Sequence, residues 1–297
     1  MAEPNVVLVT GASSGLGRLI VEALGAAGYR TFAGMRGIDG RNARSASELR
    51  AIGVTPIELD VTNEANCEAA IREVVAKAGR IDVLINNAGI GLHGLTECFT
   101  PDEITRLFDT NFLGVVRMNR AVLPSMRTKG AGLILHMSSG GGRALLPCMA
   151  YYCASKFALE ALAESYRYEL ANLGIDCVIV EPGSYPSPFW GKEPGPADNS
   201  RAADYDSVAD LPAHMRKVYA ARTEGAYASD PMEVAEACLT LIRMRPGTRP
   251  VRLLVGDRVQ EVSAINDAQA IVQKSFYTAY GVEHLMNFRS PVRGDRR

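Results

Sequence analysis

Nothing constrains this chain more than the stretch from Asn5 to Gly17, NVVLVTGASSGLG. A short apolar run, Asn5 to Val9, leads directly into Thr10-Gly11-Ala12-Ser13-Ser14-Gly15-Leu16-Gly17, and a helical pattern follows from Leu16 to Ala27. A strand that turns through glycines into a helix is the setting in which such a motif carries meaning. Gly11 permits the tight turn, Gly15 lets a pyrophosphate approach the backbone, and Gly17 allows the helix to pack closely on the strand. The helix N-terminus offers unpaired N–H groups and a partial positive charge to phosphates. An ordinary glycine-rich turn would also satisfy these three positions, so the rest of the chain has to decide.

The alternation continues. A second strand spans about 29–36, a helix 44–52, and a third strand 54–59 ends in Asp60-Val61. A helix from Glu64 to Ala78 precedes a fourth strand, Ile81 to Ile85, which runs into Asn86-Asn87-Ala88-Gly89. One long helix over 101–127 leads to a fifth strand, Gly132 to Met137, and to Ser138-Ser139. A helix over 152–172 and a sixth strand, Ile175 to Val180, end at Glu181-Pro182-Gly183, and a helix (231–243) and a last strand (251–255) complete the series. Strands alternating with helices imply an α/β fold, a Rossmann-type doubly wound parallel sheet with helices on both faces. We expect one domain over 1–297, with a core at about 5–190, a substrate-binding loop and lid at 184–229, and C-terminal helices with the last strand at 230–297.

Composition narrows the function classes. A net charge of −1 gives no basic surface for nucleic acid and no field toward an anionic membrane. No apolar run approaches the ~18 residues that span a bilayer, and the N-terminus reads as a strand rather than a leader. The six cysteines form no CxxC pair and the four histidines are scattered, so we expect reduced thiols, a cytoplasmic protein and no metal.

The chemistry concentrates in Ser139–Lys156, SGGGRALLPCMAYYCASK. Tyr152 and Lys156 at i, i+4 share one helix face, about 40° apart at ~100° per residue, whereas Tyr151 points elsewhere. A phenol titrates near ~10, and a neighbouring ammonium brings it toward useful acid/base range. A surface Tyr-Lys pair is the bland alternative. Elsewhere, the second strand closes on Met35-Arg36 with no acid, and an arginine there accommodates the 2′-phosphate of NADP; Arg41 and Arg44 read as solvated charges. Asp60 either contacts an adenine or caps the next turn. The amides of Asn86 and Asn87 can tie adjacent strands, leaving Gly89 to pass close to a cofactor. Asn111, polar within an apolar stretch, is either structural or part of a polar relay.

TGASSGLG (10–17), Asp60, NNAG (86–89), Asn111, Ser139, YCASK (152–156) and PG (182–183) occur in this order, and together they resemble the short-chain dehydrogenase/reductase superfamily. The likeness covers about 5–190 closely and is nearest to steroid- and carbonyl-reducing members around YYCASKFALEALAES. It implies Tyr152 as general acid/base, Lys156 as its modulator and a ligand of the nicotinamide ribose, Ser139 as holder of the substrate carbonyl, and Asn111 as the residue that positions a relay water. The spacing within the family favours Ser139 over Ser138. The implied cofactor contacts are Gly11, Ser13, Ser14, Gly15, Leu16, Gly17, Arg36, Asp60, Val61, Asn87, Ala88, Gly89, Tyr152, Lys156, Pro182, Gly183 and Ser187. Ser187 stands where the family usually has a threonine, and Ser14 where some NADP users carry a basic residue, so the preference for NADP(H) over NAD(H) rests on Arg36.

From Phe189 the chain turns idiosyncratic, with only a weak likeness to the family over 230–256. Trp190 to Asp206 reads as a loop rather than packed structure, and Leu211, Met215, Val218 and Ala221 recur at helical spacing as a lid over the site. Tyr185, Phe189, Trp190, Leu211, Met215 and Tyr219 can line an apolar substrate pocket, or can merely pack that helix down. A last helix over 258–279 and a frayed basic tail from Arg289 are expected. These features point to an NADP(H)-dependent oxidoreductase interconverting an apolar ketone or aldehyde with its alcohol. The alternative is a non-catalytic NADP-binding sensor or scaffold on the same fold. Relatives of this kind often pair through the helices at 101–127 and 152–172, so a homodimer or homotetramer is expected.

Overall fold

The computed structural model describes residues 5–187, 189, 195–223, 228–256 and 259–288. Its centre is a seven-stranded parallel sheet in the order β3-β2-β1-β4-β5-β6-β7. The strands are β1 Val6–Thr10, β2 Arg30–Met35, β3 Thr55–Glu58, β4 Val83–Asn86, β5 Gly132–Met137, β6 Ile175–Pro182 and β7 Arg252–Val255. The helices are α1 Gly15–Ala26, α2 Ala43–Ala51, α3 Glu64–Ala78, α4 Pro101–Phe108, α5 Gly114–Lys129, α6 Ala150–Ala171, α7 Leu211–Arg222, α8 Met232–Arg243 and α9 Val259–Ala279. This is the Rossmann-type doubly wound fold that the alternation predicts.

Side chains along a strand alternate between the two faces, which builds two cores. Val7 and Val9 of β1 pack with Ile20, Val21 and Leu24 of α1, Leu49 of α2 and Val234, Cys238 and Leu241 of α8. Val6 and Leu8 face the other way, toward Ile71 and Val74 of α3, Met118 and Val122 of α5 and Leu170 of α6. The chain order reverses between β1 and β4, and in such sheets ligands bind at the carboxyl ends of the strands beside that point.

Two expectations are corrected. The helix expected over 101–127 is not uniform: α4 and α5 are joined by a π-helical segment, Asp109–Leu113, with Asn111 buried within it. The wider turn lets the Asn111 amide donate to Ile90 O (2.9 Å) and Ser155 Oγ (3.0 Å) and accept from Ile90 N (2.8 Å). Such π-bulges are frequent at functional sites. The stretch read as a loop up to Asp206 contains a 3₁₀ helix, Asn199–Val208, kinked at Asp206 (φ 44°). Arg201 and Tyr205 tie it to Glu97, at 2.8 and 2.7 Å. Trp190 and the tail from Arg289 lie outside the described residues.

α9 packs on α6, with Tyr277 edge-to-face on Tyr168 at a centroid distance of 4.5 Å. All six cysteines are free, and five of them are buried. Among the described residues no metal-binding group of His, Cys, Asp or Glu occurs, and no helix is long and apolar enough to cross a membrane.

Candidate active site

The carboxyl edge of β1 and β4 is a backbone cradle. Thr10 Oγ1 accepts from the N–H groups of Asn87 and Ala88, both at 3.0 Å. Asn87 Nδ2 donates back to Thr10 O (3.0 Å) and Gly11 O (3.2 Å), so the expected tie between strands is made by Asn87. Asn86 instead turns inward and donates to Asn119 Oδ1 at 2.9 Å. Gly11 has φ +68°, and a Cβ there would lie 2.8 Å from Ala88 Cα. A Cβ on Gly17 would fall 2.4 Å from Asn87 Nδ2 and 2.5 Å from Gly11 O. Ser14 is the N-cap of α1 and makes no side-chain cap, which leaves the first N–H groups of the helix for an anion. Ser13 O accepts from Ser45 Oγ at 2.9 Å, and Leu16 packs on the core. The glycines, the uncapped helix end and the tight strand exits fit a dinucleotide.

Beyond the carboxyl ends of β2 and β3, Arg36 is half exposed and its Nη1 stands 3.9 Å from Asp60 Oδ2. Asp60 Oδ1 accepts from Thr62 N (3.0 Å) and Thr62 Oγ1 (2.7 Å), so the capping reading of Asp60 is realised. Burial works against its charge, but the Thr62 hydrogen bonds, with Arg36 and Arg41 adding to them, hold the carboxyl below its ordinary range. Arg41 is exposed, as expected of a solvated charge, and its Cγ would meet a Cβ placed on Gly37 at 3.1 Å. Val61 O accepts from Arg117 Nη1 at 3.1 Å. At the far end of the sheet Pro182 pairs with Val255, Gly183 N donates to Val255 O (2.9 Å), and Ser187 Oγ accepts from Phe189 N (3.3 Å).

Between these ends Ser139, Tyr152 and Lys156 converge. Ser139 caps the 3₁₀ turn Gly140–Gly142, its Oγ accepting from Gly141 N at 3.0 Å. Its hydroxyl also acts on the Tyr152 phenol, favouring the ionised form. Ser138 faces the other way, with its hydroxyl buried and unpartnered. Lys156 Nζ donates to Met137 O (2.7 Å) and lies 5.8 Å from the Tyr152 ring centroid. A Cβ on Gly89 would stand 3.4 Å from Asn111 Oδ1 and 3.8 Å from Lys156 Nζ, so β4's exit, the π segment and α6 meet at one point.

The electrostatics differ from the expectation that Lys156 brings Tyr152 down. Burial pushes the phenol up to about 12, with the Ser139 hydrogen bond opposing it. Burial also brings Lys156 down to about 8, with Glu160 opposing. Desolvation is the largest influence on both groups and favours the uncharged form of each.

The apolar wall comes from several segments. Tyr152 clusters with Met149, Cys153 and Tyr219, and Leu146, Phe189 and Met215 pack against them. The Phe189 ring lies 5.4 Å from that of Tyr152. Leu211 is exposed at the start of α7. Tyr185 departs from the expectation that it lines this wall: it is buried in the core beside Val234 and Val255, and its hydroxyl donates to Glu233 Oε2 at 2.9 Å. The motif reading missed His93, whose ring meets that of Tyr219 edge-on at 5.9 Å, as well as Met149 and Ser155. His93 reaches the wall from a loop far away in sequence and carries no local mark, while Met149 and Ser155 lie inside the Ser139–Lys156 stretch but outside its Tyr-Lys spacing.

The short chain dehydrogenase family model matches residues 5–194. The chain is 36% identical over 187 residues to a 3-ketodihydrosphingosine reductase of Bacteroides thetaiotaomicron, covering 63% of this chain and 66% of that protein. It is 35% identical over 251 residues to human 17-beta-hydroxysteroid dehydrogenase type 1, covering 80% of this chain and 74% of that enzyme. The actinorhodin polyketide ketoreductase F189W, solved with NADPH, superposes with a TM-score of 0.71 at 30% identity, over 86% of this chain and 96% of that one. With its glycine cradle, its parallel sheet and its Ser-Tyr-Lys convergence, the chain belongs to the short-chain dehydrogenases, a family of oxidoreductases.

Proposed function

We propose that this protein is an NADP(H)-dependent oxidoreductase that interconverts a ketone or aldehyde and its alcohol on an apolar substrate. The observation that carries this reading is the meeting of Ser139, Tyr152 and Lys156 beneath an apolar wall of Phe189, Met215 and Tyr219. The nicotinamide, when bound, supplies or takes up the hydride. The chain's own residues handle position and protons. The Ser139 hydroxyl holds the carbonyl oxygen, a donor fixed in place before charge develops there. Tyr152, kept protonated by burial, gives its proton to that oxygen as it becomes an alkoxide. Lys156 supplies positive charge beside the phenol and, with Asn111, borders Gly89, where the nicotinamide ribose would be held.

Gly11, Ser13, Ser14, Gly15, Leu16 and Gly17 would hold the pyrophosphate, and Asp60, Val61, Asn87, Ala88 and Gly89 the adenosine and central part. Pro182, Gly183 and Ser187 would hold the carboxamide end. Arg36, with Arg41 beside it, would bind the 2′-phosphate. The relatives are named for a ketodihydrosphingosine, a hydroxysteroid and a polyketide, which supports a carbonyl or alcohol substrate here. We further expect a homo-oligomer, since Leu113 of the π segment and Phe157 of α6 are exposed, and a cytoplasmic location.

The test is oxidation of NADPH, then of NADH, across a panel of apolar ketones and aldehydes, with Arg36→Ala in parallel. Turnover that favours NADPH in the unaltered chain and loses that preference in Arg36→Ala is the expected result. Tight NADPH binding without turnover on any carbonyl would overturn the oxidoreductase assignment in favour of a sensor.

A further inference from the structure

Below Lys156, the face of α6 turned toward the sheet continues with Glu160 and Glu164, each one helical turn further on, and all three side chains are buried. The groups facing them come from every neighbouring element. His136 comes from β5, Ser138 and Arg143 from the turn after it, Glu181 from β6, Arg252 from β7, and Asn266 and Gln269 from α9. Arg252 is the hub. Its Nε lies 2.9 Å from Glu160 Oε2 and 3.6 Å from Glu181 Oε1, and its Nη2 lies 2.6 Å from Glu164 Oε2. Arg143 Nε stands 3.9 Å from Glu181 Oε1. Asn266 Nδ2 donates to Glu181 Oε2 (2.7 Å) and Gln269 Nε2 to Glu164 Oε2 (2.9 Å).

The charges do not balance within this group. Three carboxyls face two guanidiniums, and the remaining cation on the same face is Lys156. Glu160 Oε1, Glu181 Oε1, Ser138 Oγ, Arg143 Nε and Asn266 Oδ1 are all buried without a hydrogen-bond partner. Buried ionic groups are expensive to desolvate and add little net stability, so an arrangement this extensive is poorly explained as a brace alone. Lys156 meanwhile faces a burial penalty on its own charge, and the group that opposes this penalty is Glu160. The two do not join: Lys156 Nζ is turned to Met137 O, while Glu160 Oε2 is tethered by Arg252. The influence therefore acts through the field, which is strong in an interior of low dielectric.

We propose that Glu160 is a positioning residue of the active site: tethered by Arg252 one turn below Lys156, its carboxylate holds the buried ammonium in its charged form. Among the three carboxyls, burial and the charge of Glu160 both push the Glu181 carboxyl up. The proposal rests on the reading that Lys156 serves the reaction.

The experiment follows the titration of Lys156 itself, by NMR of full-length protein carrying ¹³Cε-lysine, with and without saturating NADP⁺, the resonance being assigned with Lys156→Arg. Glu160→Gln is expected to lower the Lys156 midpoint by about one pH unit, a tenfold loss of proton affinity, and Glu160→Asp to restore most of it. The alkaline limb of kcat/KM should move down by the same interval while the plateau at lower pH stays level. A purely structural role would instead scale the rate at every pH. An unmoved Lys156 midpoint in Glu160→Gln overturns the proposal. Should that variant not fold, the unaltered chain decides with ¹³Cδ-glutamate labelling, the Glu160 resonance being assigned with Glu160→Asp. That resonance must show an inflection where Lys156 titrates, and a flat trace there overturns the proposal equally. A midpoint that moves in a protein that turns over no carbonyl keeps Glu160's hold on Lys156 and overturns the reductase reading instead.

Discussion

The carboxyl edge of β1 and β4 and the region after Pro182 bound the same site by opposite means. The first is built from backbone. Thr10, Gly11, Asn87 and Ala88 interlock through main-chain and amide hydrogen bonds of 3.0 to 3.2 Å, and glycines stand where a Cβ would strike neighbouring backbone. The second is built from side chains on separate segments: Phe189, Met215 and Tyr219 lean on Tyr152, and the 3₁₀ helix at 199–208 is held to Glu97 by exposed contacts of Arg201 and Tyr205. Backbone geometry admits few replacements, whereas an apolar wall of separate side chains can be redrawn without disturbing the sheet. A fold divided in this way keeps its cofactor chemistry while its substrate varies.

The contrast can be broken from either side. Gly17→Ala should have the largest structural effect, because its Cβ meets Asn87 Nδ2 and Gly11 O at 2.4 and 2.5 Å. Overpacking of this kind costs ~1–3 kcal/mol, so calorimetry should show a lower Tm and titration should show loss of NADPH binding. An unchanged protein would mean that the cradle is looser than its contacts imply.

Next comes Glu181→Gln. The folded-state carboxyl of Glu181 is raised to about 7 from an ordinary 4.5 by burial and the charge of Glu160. The unaltered chain therefore carries no penalty from this group below pH ~4.5 and acquires it as pH rises through ~7. Glutamine has no charge to bury, so the variant should melt higher than the unaltered chain at pH 8, with the difference shrinking toward pH 5. A gap that widens on acidification would contradict the assignment.

On the substrate side, Phe189→Ala should raise KM for apolar ketones ~10-fold, the loss of about 1.4 kcal/mol of apolar contact. NADPH binding should stay unchanged, as fluorescence titration can show. The smallest effect belongs to Arg201→Ala. Its partners are exposed, and exposed ion pairs contribute little, so both Tm and turnover should match the unaltered chain.

The same division explains what the sequence revealed. Backbone-built features leave a local signature: Gly11, Gly15 and Gly17 after an apolar run, and NNAG at a strand's end. The Ser-Tyr-Lys convergence was legible for the same reason, since one turn and one helix carry it. The π segment at 109–113 was not, because a single inserted residue in a helix leaves the apolar pattern nearly intact. Nor was the fate of Tyr185, an aromatic residue beside the site whose hydroxyl is taken by Glu233 on α8, 48 positions away. The 3₁₀ helix at 199–208 is polar and has no buried residue, so no periodicity announced it.

The most direct test of the central claim, that Tyr152 is the proton donor of a carbonyl reduction, is single-turnover NADPH oxidation by Tyr152→Phe with the best ketone of the panel. The account predicts unchanged NADPH affinity and a rate lower by ~10²–10⁴-fold, the loss typical of a positioned acid. A phenylalanine variant that keeps the rate of the unaltered chain would contradict it, and the proton would then have to come from elsewhere in the site.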